Sequence, residues 1–301
     1  MPELPEVETV RCGLEQAWVG HRITEVYLRR EGLRFPFPSG MTAHLKGATV
    51  TSVRRRAKYL LIDLDSGMVF LSHLGMSGRY TLITPDEVPK YLATEVSSNV
   101  STFGELTGFG GRHDHMEFRF GNGSVAVYTD PRRFGIADVF PRAEEPIQTL
   151  LEHLGPEPLE QWTALDAANR AKGKRSPIKT TLLDQRFVVG VGNIYACEAL
   201  HRSGISPTRP TNKLVRKDGK PTKALVELVA QVKEVLKAAI AVGGSTLNDF
   251  AAVDGTLGYF GHHFQVYDRE DGPCLKEGCN GTIERIVQSN RSTFLCPRCQ
   301  K

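Results

Sequence analysis

Tyr59-Leu60-Leu61-Ile62-Asp63-Leu64, followed across Gly67 by Val69-Phe70-Leu71, reads as two short strands joined by a turn. The same pattern recurs outward from this pair. Residues 24–28, 49–53, 116–120 and 125–128 are short, rich in β-branched and aromatic side chains, and punctuated by Gly121 and Gly123. Short strands at this spacing predict a β-sandwich or barrel between about residues 22 and 140. Residues 86–111 interrupt it with Ser, Thr and Gly at poor periodicity, which predicts a long insertion or mobile loop.

Helical periodicity flanks the strands. Val7, Val10, Leu14 and Trp18 share one face of a helix expected over 6–19, with Gly20 as its stop. Around residues 144–158 the composition shifts to Pro and Glu, marking a boundary. Helices are expected after it at 178–187, 194–203 and 222–241; in the last, Leu225, Leu228, Val229, Val232 and Leu236 form a core stripe. Val188-Val189-Gly190-Val191-Gly192-Asn193 connects two of them, either as a plain turn or as a phosphate cradle at a helix N-terminus. The resulting class is α+β multidomain, with domains at 1–145, 146–262 and 263–301.

The chain of 301 residues is 40% hydrophobic and carries a net charge of +4. It has no apolar run of about 18 residues and no basic-then-apolar leader, so neither a membrane span nor a secretory signal is expected, and a cytoplasmic location follows. Positive charge is concentrated: residues 172–220 hold eleven Lys or Arg against Asp184, Glu198 and Asp218, and Arg54-Arg55-Arg56 with Lys58 and Arg132-Arg133 add to it. Such clustering suits a polyanion partner or a solvated basic face. Cys12 and Cys197 sit in helical patterns and read as buried thiols. Cys274-x4-Cys279 and Cys296-x2-Cys299, separated by 16 residues, fit one structural zinc ion held by four thiolates, with a two-stranded ribbon at 282–287 and 292–295.

The N-terminus, Met1-Pro2-Glu3-Leu4-Pro5-Glu6, offers two readings. One is a helix start, with Pro in the first turn and acids facing the dipole. The other is chemical. Loss of Met1 makes Pro2 a secondary amine; an α-amino group titrates at about 7.7–8.0, low enough to supply a neutral nucleophile, with Glu3 and Glu6 in reach to move protons.

Four stretches in order, MPELPEVETV at 1–10, HLGMSG at 73–78, DPRRFG at 130–135 and GVGNIYACEAL at 190–200, together with the terminal RSTFLCPRCQK, resemble the bacterial formamidopyrimidine-DNA glycosylases (the Fpg/Nei family). The resemblance implies an N-terminal β-sandwich, a helix–two-turn–helix domain and a zinc-finger hairpin, with damaged double-stranded DNA in the cleft between the halves of a monomer. It implies that Pro2 attacks C1′ of a damaged nucleotide to form a Schiff base and that Glu3 assists base release. Glu6 helps build the site, Lys58 is catalytic or phosphate-contacting, and Arg291 grips flanking phosphates and serves a second elimination. Met76, Arg132 and Phe134 would fill the space left by the everted base. His113, Lys174, Lys179 and Asn193 would contact phosphates, Glu198 would lie near the lesion, and residues 243–263 would close over the base.

The implied activity is bifunctional: excision of oxidised purines, chiefly 8-oxoguanine opposite cytosine and formamidopyrimidines, then strand cleavage by β,δ-elimination. Two alternatives stand beside it, an endonuclease VIII-like enzyme for oxidised pyrimidines and a non-catalytic damaged-DNA-binding protein. Met76, Arg132, Phe134 and Leu4 fit the purine branch. Two departures from the family pattern are the C-x4-C knuckle, where C-x2-C is common, and the length of 86–111.

Overall fold

The structure, a computed structural model, describes residues 2–93, 111–245 and 260–301. The described residues form two compact units, 2–152 with 243–245, and 153–242 with 260–301.

In the first unit, α1 (Leu4–Trp18) precedes β1 (Ile23–Leu28), a short α2 (Met41–Leu45) and β2 (Val50–Arg56). Then come β3 (Tyr59–Leu64), β4 (Met68–His73), β5 (Arg79–Ile83), α3 (Val88–Ala93), β6 (Asp114–Phe120), β7 (Val125–Thr129) and β8 (Ile136–Pro141). The strands pair antiparallel in two four-stranded sheets, ordered β1-β6-β7-β5 and β2-β3-β4-β8. Phe118, Tyr80 and Tyr128 from one sheet share a core with Val53, Ile62 and Phe70 from the other, which makes the unit a sandwich. The apolar face of α1 enters the same core. Its last residue, Trp18, is fully buried with ring centroids of Phe118 and Phe120 at 5.1 and 5.2 Å and Tyr80 edge-on at 5.6 Å.

Helix α1 lies along β2 in a definite register. Glu8 pairs with Arg55 at 2.8 Å, and one turn further on Arg11 donates to the Val53 carbonyl at 3.2 Å. The helix advances while the strand recedes, so the β2–β3 turn at Ala57-Lys58 comes to the N-terminal end of α1. Ala57 in that turn has a φ of 55°.

The second unit is helical. It contains α4 (Ala164–Ala171), α5 (Ile178–Leu182), α6 (Asn193–Arg202) and α7 (Lys223–Ala241), then the hairpin β9 (Glu284–Gln288) and β10 (Arg291–Leu295). α6 packs on α7 and on β10.

Several expectations need correction. α5 is one turn, not a helix to 187, because polar side chains take over the backbone after Leu183: Asp184 Oδ1 accepts the Arg186 N–H and Gln185 Oε1 accepts the Gly190 N–H. α4 was not expected, although Thr163 and Asp166 form its capping box. α1 starts at Leu4, two residues earlier than its periodicity suggests, because the Glu3–Glu6 capping box sets its first turn. Cys12 is half-buried rather than buried and receives the Arg11 guanidinium at 3.0 Å. The start of the 86–111 stretch is ordered: Val88 and Tyr91 of α3 pack on Ile83, Val125 and Val127, and the Tyr91 hydroxyl donates to buried Glu117 at 3.2 Å. Residues 94–110 lie outside the described residues.

Truncation of Trp18 to Ala removes the ring that packs the end of α1 against β5 and β6 and leaves a cavity. We expect a loss of about 3–5 kcal/mol in urea unfolding; an unchanged midpoint would contradict the packing role assigned to it.

Candidate active site and metal centre

Pro2, Glu3 and Glu6 are all buried at the start of α1. Glu3 is the N-cap and Glu6 the N3 residue of a capping box. One oxygen of Glu6, Oε2, accepts the Glu3 N–H at 2.8 Å, while Oε1 accepts the N–H and hydroxyl of Ser245 at 2.8 and 2.9 Å. A buried carboxylate is thus satisfied by three donors, two of them from a residue 239 positions away. Gly244 is required for this approach. Its φ is +80°, and a Cβ there would lie 3.0 Å from Glu6 Oε1. Lys58, 8% exposed, occupies the β2–β3 turn that the helix register brings to this end of α1. Near it the His73 ring packs at a tilt against Tyr59, its Nδ1 accepting the Gly75 N–H at 2.9 Å. Burial, with Lys58 and Arg34 nearby, pushes His73 down to about 4, so it acts as a neutral acceptor.

The loops of the HLGMSG and DPRRFG motifs are bound into one piece by Asp130, which is fully buried. Its Oδ1 accepts from Ser77 Oγ at 2.6 Å and its Oδ2 from the Gly135 N–H at 2.8 Å; Ser77 Oγ in turn accepts the Arg132 N–H at 3.1 Å. The Asp130 N–H donates to the His113 carbonyl at 3.0 Å, and His115 Nε2 reaches the Asp130 carbonyl at 2.8 Å. Glycines make the loops fit. A Cβ on Gly75 would fall 2.4 Å from the Phe134 carbonyl carbon, and one on Gly135 would fall 2.0 Å from the Tyr128 hydroxyl. The network leaves Met76 half-buried, and Arg132 and Phe134 exposed, with the Arg132 guanidinium 5.0 Å from the Phe134 ring centroid. His113 is half-buried beside Arg112 and Arg30, and burial followed by those charges lowers its pKa. Met76, Arg132 and Phe134 are therefore carried on one linked loop pair, to which the His113 carbonyl is tied by the Asp130 N–H. Ser77, Asp130 and Ser245 were not singled out from the sequence; the first two lie inside the quoted motifs, where a short polar residue beside glycines was the available signal.

In the second unit the ribbon turn is Ser289-Asn290, with φ of 48° and 58°, a type I′ geometry closed by the Gln288–Arg291 pair. Arg291 follows it directly and is exposed. The next carbonyl, that of Ser292, accepts Asn193 Nδ2 at 2.9 Å and Lys179 Nζ at 3.2 Å, and Lys179 also donates to Thr293 Oγ1 at 2.6 Å. Lys179 is fully buried, and with Asn193 it holds the strand that carries Arg291. Glu198 is likewise fully buried. Its carboxylate accepts the backbone N–H groups of Gln265, Val266 and Tyr267 at 2.9–3.1 Å. Lys174 is partly exposed, 3.8 Å from Asp184. Of residues 243–263, those at 246–259 lie outside the described residues.

The four Sγ atoms of Cys274, Cys279, Cys296 and Cys299 lie within 4.8 Å of one another. The Cys274–Cys299 and Cys279–Cys296 separations are 3.8 and 3.7 Å. A tetrahedron of thiolates at about 2.3 Å from zinc has edges of about 3.8 Å. The set therefore fits a closed structural zinc centre, and the longer C-x4-C knuckle does not prevent it. Gly281 sits where a Cβ would be 2.6 Å from Cys296 Sγ. Among the described residues no helix is long and apolar enough to cross a membrane.

Ser77→Ala removes a buried hydrogen bond to a carboxylate and leaves Asp130 Oδ1 short of a donor. We expect about 1–3 kcal/mol lower stability by urea titration; a midpoint equal to that of the wild type would mean that the loop pair does not depend on Ser77.

Comparison with known proteins agrees with this geometry along the whole chain. Residues 1–137 match the model of the formamidopyrimidine-DNA glycosylase N-terminal domain, 154–251 its H2TH domain, and 272–301 the zinc finger found in FPG and IleRS. A formamidopyrimidine-DNA glycosylase of Methylobacterium radiotolerans is 48% identical, covering 100% of this chain and 99% of its own. The Lactococcus lactis Fpg in complex with N7-benzyl-Fapy-dG-containing DNA aligns over 100% of both chains with a TM-score of 0.82 at 29% identity. The same protein with abasic-site DNA gives 0.81 at 28%, over 99% of each. The four clustered cysteines fall within the zinc-finger match and hold one structural zinc ion. The chain belongs to the formamidopyrimidine-DNA glycosylase family, a family of DNA-repair glycosylases.

Proposed function

We propose that this protein is a bifunctional DNA glycosylase and AP lyase that excises oxidised purines, chiefly 8-oxoguanine opposite cytosine and formamidopyrimidines, from duplex DNA. The observation that carries the reading is the burial of Pro2, Glu3 and Glu6 together at one helix end, with the Lys58 turn brought alongside. The capping box accounts for Glu3 and Glu6 at a helix start but not for a buried Pro2 beside them with the Lys58 turn alongside; an amine nucleophile with proton-transfer groups suits that set.

In this reading Met1 is removed and the Pro2 nitrogen attacks C1′ of the everted nucleotide. The C1′–N bond breaks, and the base leaves with a proton. Opening of the sugar ring gives an iminium, with Glu3 as the acid that protonates the ring oxygen. The iminium acidifies C2′–H, so loss of that proton expels the 3′ phosphate, and a second elimination expels the 5′ phosphate with Arg291 as the cation at the leaving group. Glu6, already holding the Glu3 N–H, fixes the direction of Glu3 and Pro2. Met76 and Phe134 replace the lost stacking, and Arg132 hydrogen-bonds the orphaned cytosine. His113, Lys174 and Arg291 contact phosphates, while Lys179 and Asn193 act through the Ser292 carbonyl. All these groups lie on one chain, so a monomer working in the cytoplasm on DNA suffices.

The test is excision from matched duplexes carrying 8-oxoguanine or thymine glycol. The wild type should release 8-oxoguanine preferentially and leave a one-nucleotide gap with phosphates at both ends; preferential release of thymine glycol would move the assignment to oxidised pyrimidines. Glu3→Gln should slow base release by about 10²–10⁴-fold while leaving duplex affinity unchanged. Parallel loss of affinity and rate would make Glu3 a structural cap only.

A further inference from the structure

The zinc centre has a donor from outside the ribbon. Asn193, Cys197 and His201 recur every four residues along α6 and form one stripe beneath the hairpin. Asn193 holds the Ser292 carbonyl at the ribbon tip. Cys197 packs with Val266, Ile283 and Phe294 in the middle. At the far end His201, 2% exposed, places Nε2 at 3.2 Å from Cys274 Sγ. Its Nδ1 is buried and has no hydrogen-bond partner among the described residues.

A thiolate bound to zinc is an acceptor only. An imidazole nitrogen facing it within hydrogen-bond reach must therefore be the donor, which puts the ring proton on Nε2 and leaves Nδ1 as the bare nitrogen. That tautomer also explains the unpartnered Nδ1: an N–H there would be a buried donor without an acceptor, the costlier omission. Four thiolates and one Zn²⁺ carry a net charge of about −2, and a buried charge of this size needs donors around it. The knuckle backbone supplies some: the N–H of Lys276 faces Cys274, and those of Arg298 and Cys299 face Cys296. His201 adds a side-chain donor from a separate element, so it links the metal to the helix on which the hairpin rests.

We propose that His201 is a positioning residue for the zinc centre: its Nε2–H···Sγ bond to Cys274 retains that thiolate on the metal and, through α6, keeps the Arg291 hairpin seated. Outer hydrogen-bond partners of metal ligands are worth about ten- to a hundredfold in metal affinity. Without the donor, Cys274 is the first ligand to leave.

The experiment uses the zinc-loaded full chain and measures zinc transfer to a chromogenic chelator, with timed iodoacetamide labelling mapped by mass spectrometry. His201→Phe should release zinc about ten- to a hundredfold faster, with Cys274 alkylated before the other three cysteines. His201→Gln, whose amide N–H reaches the same position, should restore most of the retention. Equal release by all three proteins, or Gln behaving as Phe, would overturn the proposal. A measurement on the wild type guards against misfolding of the variants: long-range ¹H–¹⁵N correlation of the His201 ring should show the Nε2-protonated tautomer, and the Nδ1-protonated form would refute the bond.

Discussion

The carboxylate of Glu6 ties the start of α1 to a segment distant in sequence. It is 2% exposed, and a buried charge is tolerable only when its lone pairs are filled. Glu3 fills one oxygen from within the capping box, and Ser245 fills the other from the far side of the sequence. Removing either partner takes a hydrogen bond from a buried carboxylate, so the helix start and the 243–245 segment are held as one object. The same geometry explains Gly243-Gly244: both have positive φ, and the second must approach Glu6 without a Cβ. A nucleophile at Pro2 would inherit its orientation from this arrangement, because Pro2 is bonded directly to the Glu3 N–H that Glu6 holds.

Elsewhere the division of labour repeats. Buried polar groups hold backbone atoms in place, and exposed side chains are left to meet a partner. Asp130 and Ser77 fix the two motif loops, and Arg132 and Phe134 project from them. Lys179 and Asn193 fix the Ser292 carbonyl, and Arg291 projects beside it. Glu198 fixes three consecutive amides at 265–267, where the chain returns to the ribbon. These holding groups act through directed hydrogen bonds, which is what rigid placement of a contact residue requires.

The sequence made legible those features that depend on local pattern. β3 appears over 59–64 as its apolar run predicts, and the cysteine pairs converge as their spacing requires. α7 follows its leucine and valine stripe. Features that depend on distant partners were hidden. Nothing local says that Glu6 meets Ser245, or that Lys179 is a buried strut rather than a surface cation, since a lysine within a basic stretch looks the same in either role. β5 and β8 escaped separate notice because Arg79–Ile83 is only five residues long and Ile136–Pro141 lacks clear alternation; they pair with β7 and β4. The family resemblance supplied roles for Met76 and Phe134 that apolarity alone would have assigned to the core; Met76 is half-buried and Phe134 44% exposed.

The central claim is that the amine of Pro2 forms a covalent bond to the sugar. Its most direct test is to incubate the natively processed protein with 8-oxoguanine duplex and sodium borohydride, digest the trapped complex, and locate the deoxyribose remnant by tandem mass spectrometry. The account predicts a single adduct on the peptide beginning at Pro2, at its α-nitrogen. An adduct at Lys58 or another lysine, or no adduct from protein shown to lack Met1, would contradict it.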